Sequence, residues 1–164
     1  MTPKRRLPKI LDLKVTALFH EQMKKETFIS HSVGETVSYF FNMGRRARAG
    51  DVYALYGELG AGKTLIASAI ARGMGITGDV TSPTFALLEI YDGKLPLYHF
   101  DLYRINDEKE LDNLFFEEYW EGEGVSVIEW PEIAGRRLPK AAVKINVVYI
   151  DENVREISLE YPDI

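Results

Sequence analysis

Eight consecutive residues, Gly57-Glu58-Leu59-Gly60-Ala61-Gly62-Lys63-Thr64, constrain this chain more than any other stretch. They match G-x-x-x-x-G-K-[ST], the phosphate-cradling P-loop. Glycines let the backbone curl so that successive N–H groups face an anion. The helix that follows points its unpaired N–H groups and partial positive charge at the same anion. A lysine at this position reaches the β- and γ-phosphates, and the hydroxyl after it can ligate Mg²⁺. The pattern carries meaning only between a buried strand and a helix. Residues 51–56, rich in β-formers, predict the strand. Leu65, Ile66, Ala69 and Ile70 recur at helical spacing, and Gly73 is expected to cap the helix end.

Length and composition fit one such domain. The chain has 164 residues, 46% hydrophobic and 27% charged, enough for a sizeable core. It has no cysteine, which rules out disulfide staples and thiolate metal sites. No apolar run approaches a membrane span and the N-terminus has no apolar signal core, so a cytoplasmic protein without a membrane partner is expected. The net charge of −5 conceals a basic segment: residues 1–26 carry seven basic and three acidic side chains, leaving −9 on residues 27–164. A largely acidic domain is a poor nucleic-acid binder by itself, because that affinity comes mainly from phosphate neutralisation. Residues 1–26 are expected to be a basic extension, and 27–164 the single domain. Met23 is a possible internal start.

The rest of the chain supplies the elements around the P-loop. A short strand at 27–29 leads to a helix from Ser30 or Ser32 to about Ala49, with Ser32 and Glu35 as a capping box. Its expected apolar face is Val33, Val37, Phe40, Phe41 and Gly44. Thr81-Ser82-Pro83-Thr84-Phe85 resists regular structure at Pro83 and sets hydroxyls where phosphate, Mg²⁺ or water is bound, as a nucleotide-sensing loop would. Segments 85–91 and 95–100 read as strands about an Asp92-Gly93-Lys94 turn. They lead to His99-Phe100-Asp101-Leu102-Tyr103-Arg104, where His99 and Asp101 share a strand face. Asp101 is placed for Mg²⁺ or for water; Arg104 for phosphate or for a carboxylate. Residues 107–120 read as an acidic helix buried through Leu111, Leu114, Phe115 and Tyr119 or Trp120. Val125-Ser126-Val127-Ile128-Glu129, followed by Trp130, is a short apolar strand ending in an acid, the partner that a P-loop threonine shares Mg²⁺ with. Residues 135–139 read as a loop, and 142–150 and 155–161 as a terminal hairpin.

Taken in order, G-E-L-G-A-G-K-T, V-T-S-P-T-F, H-F-D-L-Y-R and V-I-E-W-P-E closely resemble the TsaE (YjeE) family, over about residues 27–161. That resemblance implies a P-loop NTPase-like three-layer α/β fold with a mixed, mainly parallel sheet and a C-terminal antiparallel hairpin. It implies an ATPase, weak alone, that uses ATP and Mg²⁺ in threonylcarbamoyl modification of the tRNA adenosine next to the anticodon, acting with TsaB and TsaD and meeting tRNA through that complex. By motif, Gly57, Glu58, Leu59, Gly60, Ala61, Gly62 and Lys63 would hold phosphate, Thr64 and Glu129 the metal, and Asp101 would act at the γ-phosphate. Thr81, Ser82, Pro83, Thr84 and Phe85 would form the nucleotide-sensitive loop. Tyr103, Arg104 and Trp130 would line the switch or partner surface, and Arg155 would lie near the adenine. Two other functions remain open on the residues alone: a small-molecule kinase using the same P-loop, although no segment is spare for a lid, and a non-catalytic nucleotide-gated module. A GTPase is disfavoured by the absence of an N-K-x-D motif.

Overall fold

The computed structural model describes residues 24–83 and 85–162. Of the basic extension, residues 1–23 lie outside this range, as does Thr84. Seven strands form one sheet: β1 (Lys25–Ser30), β2 (Val52–Tyr56), β3 (Leu88–Tyr91), β4 (Leu97–Asp101), β5 (Val125–Glu129), β6 (Val143–Tyr149) and β7 (Arg155–Glu160). Their order is β1-β7-β6-β2-β5-β4-β3. The central pairs β6–β2, β2–β5 and β5–β4 are parallel. Antiparallel strands close both sides, β3 against β4 and the terminal hairpin β6–β7 with β1 beyond it. This is the mixed sheet and C-terminal hairpin expected.

Alternation of side chains along each strand divides the core in two. Tyr53, Leu55, Val127, Ile145 and Ile157 face one side. There they meet α1 (Val33–Arg45) and α2 (Lys63–Gly73) through Phe40, Ile66 and Ile70. Val52, Ala54, Phe100 and Ile128 face the other side, against Leu111, Phe116, Trp120 and Ala134. These come from a 3-10 helix at Glu108–Asn113, α3 (Phe116–Trp120) and a 3-10 helix at Pro131–Arg137. The three layers of the expected fold are therefore present.

Helix α1 starts where the sequence indicates. Ser32 Oγ accepts from the Glu35 amide at 3.1 Å, while the Glu35 carboxylate accepts from the His31 amide at 2.7 Å, one residue ahead of the usual box. The helix ends at Arg45 rather than near Ala49, because the chain then turns through Gly50 at φ +88° with the Arg48 amide on Asp51 Oδ2. Val33 is 56% exposed and leaves the buried stripe to Thr36, Phe40 and Gly44.

Three further expectations are corrected. Gly73 does not cap α2: Met74 is the cap, and Gly75 turns the chain at φ +87°. Gly73 is instead where α2 touches α1, for a Cβ there would lie 2.1 Å from the Phe41 carbonyl oxygen. The segment 107–120 is two short helices, not one, broken at Phe115 in the left-handed region (φ +50°). That backbone costs about 1–2 kcal/mol, offset because the break turns Phe116 and Trp120 inward, with ring centroids 4.9 and 5.6 Å from Phe100. Phe115 itself points out, 63% exposed. Strand β3 begins at Leu88, not Phe85, and residues 135–137 belong to a 3-10 turn rather than a loop. Arg137 there pairs with Glu108, Asp112 and Glu117 of the neighbouring helices in the same layer.

Candidate nucleotide site

The site lies where parallel strands end. Tyr56 closes β2 and runs into the P-loop, Glu129 closes β5 and Asp101 closes β4. The register sets Leu55 beside Glu129 and Glu129 beside Asp101. Ligands of open α/β sheets bind at this carboxyl edge. Gly60 and Gly62 take φ of +80° and +112°, conformations that side-chain-bearing residues rarely adopt. A Cβ on either would meet nothing within 4 Å, so the loop surrounds open space. Gly62 caps α2 with no side-chain hydrogen bond, which leaves the first N–H groups of the helix for an anion.

Lys63 is 4% exposed. Its ammonium donates to the carbonyls of Gly57 at 2.6 Å and Glu58 at 2.9 Å and lies 3.9 Å from the centre of the Trp130 ring. Burial lowers its pKa, opposed by the charges of Glu129, Glu132 and Asp101. Trp130 holds this position in the left-handed region at φ +57° and stacks on Tyr103, with centroids 4.9 Å apart. Tyr103 is half exposed, and Leu59 at the loop tip more so.

The two acids separated by 28 residues in the chain arrive side by side. Glu129 is buried, and the Thr64 hydroxyl donates to its two oxygens at 3.0 and 3.2 Å. His99 Nε2 is 2.8 Å from Glu129 Oε1. Asp101, also buried, accepts from the Tyr103 amide at 2.9 Å and from the Ser82 hydroxyl. The hydroxyl-rich loop is thereby tied to the end of β4. Within that loop Pro83 is buried, and its carbonyl accepts from the Leu87 amide at 2.8 Å. The Thr81 amide donates to the Tyr91 hydroxyl at 3.4 Å. Phe85 is 86% exposed and carries the Arg104 guanidinium 4.2 Å above its ring. Arg104 thus rests on an aromatic face, and among the described residues no carboxylate pairs with it.

Arg155 reaches the P-loop from the other side. Its Nε donates to the Ala61 carbonyl at 2.8 Å and its guanidinium stacks on Tyr149 at 4.5 Å. It shares a small cavity with Ala61, Gly62, Leu65, Glu152 and Asn153. The side chain that sequence reasoning left out of the site is His99. Its spacing from Asp101 was visible, but its contact with Glu129 depends on the β4–β5 register.

The donors suit a small hard cation. Thr64 and Glu129 offer oxygen only, and Mg²⁺ is typically held by one or two such groups with phosphate and water completing the shell. Among the described residues no cluster of three or more His, Cys, Asp or Glu is arranged to hold a metal. A cation here would therefore be shared with a phosphate ligand.

Residues 30–157 match the family described as threonylcarbamoyl adenosine biosynthesis protein TsaE. The chain belongs to the TsaE family. A "tRNA threonylcarbamoyladenosine biosynthesis protein TsaE" of Bacillus subtilis is 44% identical over 113 residues, 68% of this chain and 70% of that protein. One of Treponema pallidum is 38% identical over 131 residues, 80% of this chain and 97% of the other. Among solved structures, Bacillus subtilis YdiB superposes with a TM-score of 0.73 at 34% identity, covering 86% of this chain and 88% of that one. TsaE proteins are named for tRNA threonylcarbamoyladenosine biosynthesis, and every site residue described above falls within the matched span. Among the described residues no helix is long and apolar enough to cross a membrane.

Proposed function

We propose that this TsaE-family chain binds ATP with Mg²⁺, hydrolyses it weakly alone and more rapidly when TsaB and TsaD engage it, and so serves threonylcarbamoyl modification of tRNA in the cytoplasm. The observation that carries the reading is the Thr64–Glu129 hydrogen bond at the mouth of an open glycine loop, with Asp101 on the next strand.

In this reading the loop N–H groups and Lys63 receive the phosphate oxygens. Lys63 leaves one of its three N–H bonds for them while the Gly57 and Glu58 carbonyls hold the other two. Trp130 and the buried setting keep water from the ammonium, which strengthens its attraction for an anion. Thr64 and Glu129 would hold the cation, which when bound would supply charge neutralisation at the phosphate. Asp101 orients the attacking water, and its bond to Ser82 couples that task to the position of loop 81–85. Phosphoryl transfer depends on such positioning and on charge compensation, usually with an arginine. Among the described contacts Arg104 rests on Phe85, and Arg155 is held by the Ala61 carbonyl of the loop itself. A partner that reorders loop 81–85 or adds an arginine would then set the rate.

The test is phosphate release by the purified chain with and without purified TsaB–TsaD. Stimulation by the pair supports the reading. Turnover that ignores the pair, or that instead requires a small-molecule acceptor, refutes it and favours a kinase.

A further inference from the structure

Two buried side chains among the described residues leave a polar atom without a hydrogen bond, Ser126 and His99, and of these only His99 touches the site. It lies at the centre of β4, fully buried, with β5 on one side and the edge strand β3 on the other. Nε2 meets Glu129 Oε1 at 2.8 Å. Nδ1, equally buried, has no hydrogen-bond partner among the described residues. An ionised carboxylate only accepts, so the ring proton of this pair belongs on Nε2. A histidine kept for packing would be bettered there by an apolar side chain, and one kept for a structural network would use both nitrogens. What the ring retains is a single directed bond to Glu129.

We propose that His99 is the positioning residue of the metal site, orienting the Glu129 carboxylate for the cation it shares with Thr64. This deepens the Mg²⁺–ATP reading and rests on it. The terminal torsion of a glutamate is broad and only weakly staggered, so its two oxygens have no fixed direction of their own. Thr64 alone does not fix them, because its hydroxyl lies within reach of both, at 3.0 and 3.2 Å. His99 touches Oε1 only and approaches from the neighbouring strand. Two donors from different elements define the carboxylate plane. Oε1 then accepts from the imidazole and, at 3.0 Å, from Thr64, while Oε2, with Thr64 at 3.2 Å, is left to the incoming ion. His99 touches neither phosphate nor reacting water in this assignment; it acts through Glu129. Hydrogen-bond partners of metal-holding carboxylates generally contribute to metal affinity in this way.

The experiment is calorimetric titration of ATP into the full chain, once across a range of Mg²⁺ and once in excess chelator, beside thermal melting. The variants are His99→Leu, which removes the donor, and His99→Gln, whose amide nitrogen can stand near the Nε2 position. For His99→Leu the Mg²⁺ needed for half-maximal enhancement of ATP binding rises by about 10–100-fold, while chelator-phase affinity stays within about twofold of wild type. His99→Gln recovers most of the loss. If His99→Leu does not fold, His99→Asn, too short to reach Glu129, takes its place. A wild-type Mg²⁺ requirement in the donor-less variant overturns the proposal. So does an equal loss in both phases that follows a lowered melting temperature and is not rescued by Gln, since that marks a packing role. Wild-type protein whose ATP binding ignores Mg²⁺ would instead sink the Mg²⁺–ATP reading itself.

Discussion

Replacing Gly73 with alanine tests how the P-loop helix is seated. The added methyl carbon would stand 2.1 Å from the Phe41 carbonyl oxygen, 2.9 Å from that carbonyl carbon and 3.0 Å from the Arg45 amide nitrogen. Gly44 reports the same contact from the other helix, with a Cβ 2.1 Å from the Ile70 oxygen. A close carbon–oxygen approach is about 3.3 Å, so α1 and α2 must part by about 1 Å. The obstacle is main chain in a helix, so no side-chain rotation relieves it. A gap of about 0.5–1 Å forfeits a quarter to a half of each dispersion contact across the seam. Overpacking costs about 1–3 kcal/mol, here at the upper end. Alanine recovers up to about 1 kcal/mol in helix propensity, which leaves a net loss of about 2 kcal/mol. At about 2–4 °C per kcal/mol for a domain of this size, Tm falls by about 4–8 °C. Gly78 is the control: a Cβ there meets nothing within 4 Å, and Gly78→Ala should stay within about 0.5 kcal/mol. Calorimetric melting of both variants decides. If Gly73→Ala melts with wild type, the close helix contact is not what that glycine provides.

Other expectations follow from the same contacts. Lys63→Ala should abolish nucleotide binding in a fluorescent-nucleotide titration, whereas Asp101→Ala and Glu129→Ala should bind measurably but not hydrolyse. Normal hydrolysis by either acid variant with TsaB–TsaD present would overturn the assigned roles. Stability should decline above about pH 10, where tyrosines in the unfolded chain ionise. Burial raises the pKa of Tyr39 and Tyr53, with Glu26 and Asp51 adding to the effect, so the folded state keeps protons that the unfolded state releases. Tyr56, Tyr91 and Tyr161 shift the same way, outweighing the opposite contribution of the lowered Lys63. Tyr53→Phe should therefore flatten the alkaline fall of Tm relative to its own value at pH 8. Arg137→Ala should cost about 1 kcal/mol, because one partly buried guanidinium meets three carboxylates, and the loss should shrink in high salt. Arg136→Ala, on the exposed side of the same turn, should change melting little.

What could be read without coordinates was whatever is local in the chain. The glycine loop is encoded by eight neighbours because a loop of this kind offers an anion consecutive N–H groups and the helix that follows. The Ser32 cap, the apolar run into Glu129 and the terminal hairpin are similarly short-range, and each appears where its residues indicate. The order of the motifs was enough to reveal the family. Several of the places where sequence reasoning went astray depend on a second element. Gly73 looked like a helix stop, since glycine serves both as a cap and as a seat for a neighbouring backbone, and only the crossing of α1 distinguishes the two. The break at Phe115 is set by the space over Phe100 that Phe116 and Trp120 fill. The joining of Glu129 with Thr64, His99 and Asp101 required the β2–β5–β4 register, because side chains on β4, on β5 and on the helix after β2 meet at one edge only after those strands have paired. The sequence by itself thus singled out the loop that is proposed to grip a phosphate. Which acid holds the threonine, and which histidine holds that acid, was decided by tertiary structure, where strand order converts separations of tens of residues into hydrogen bonds of about 3 Å.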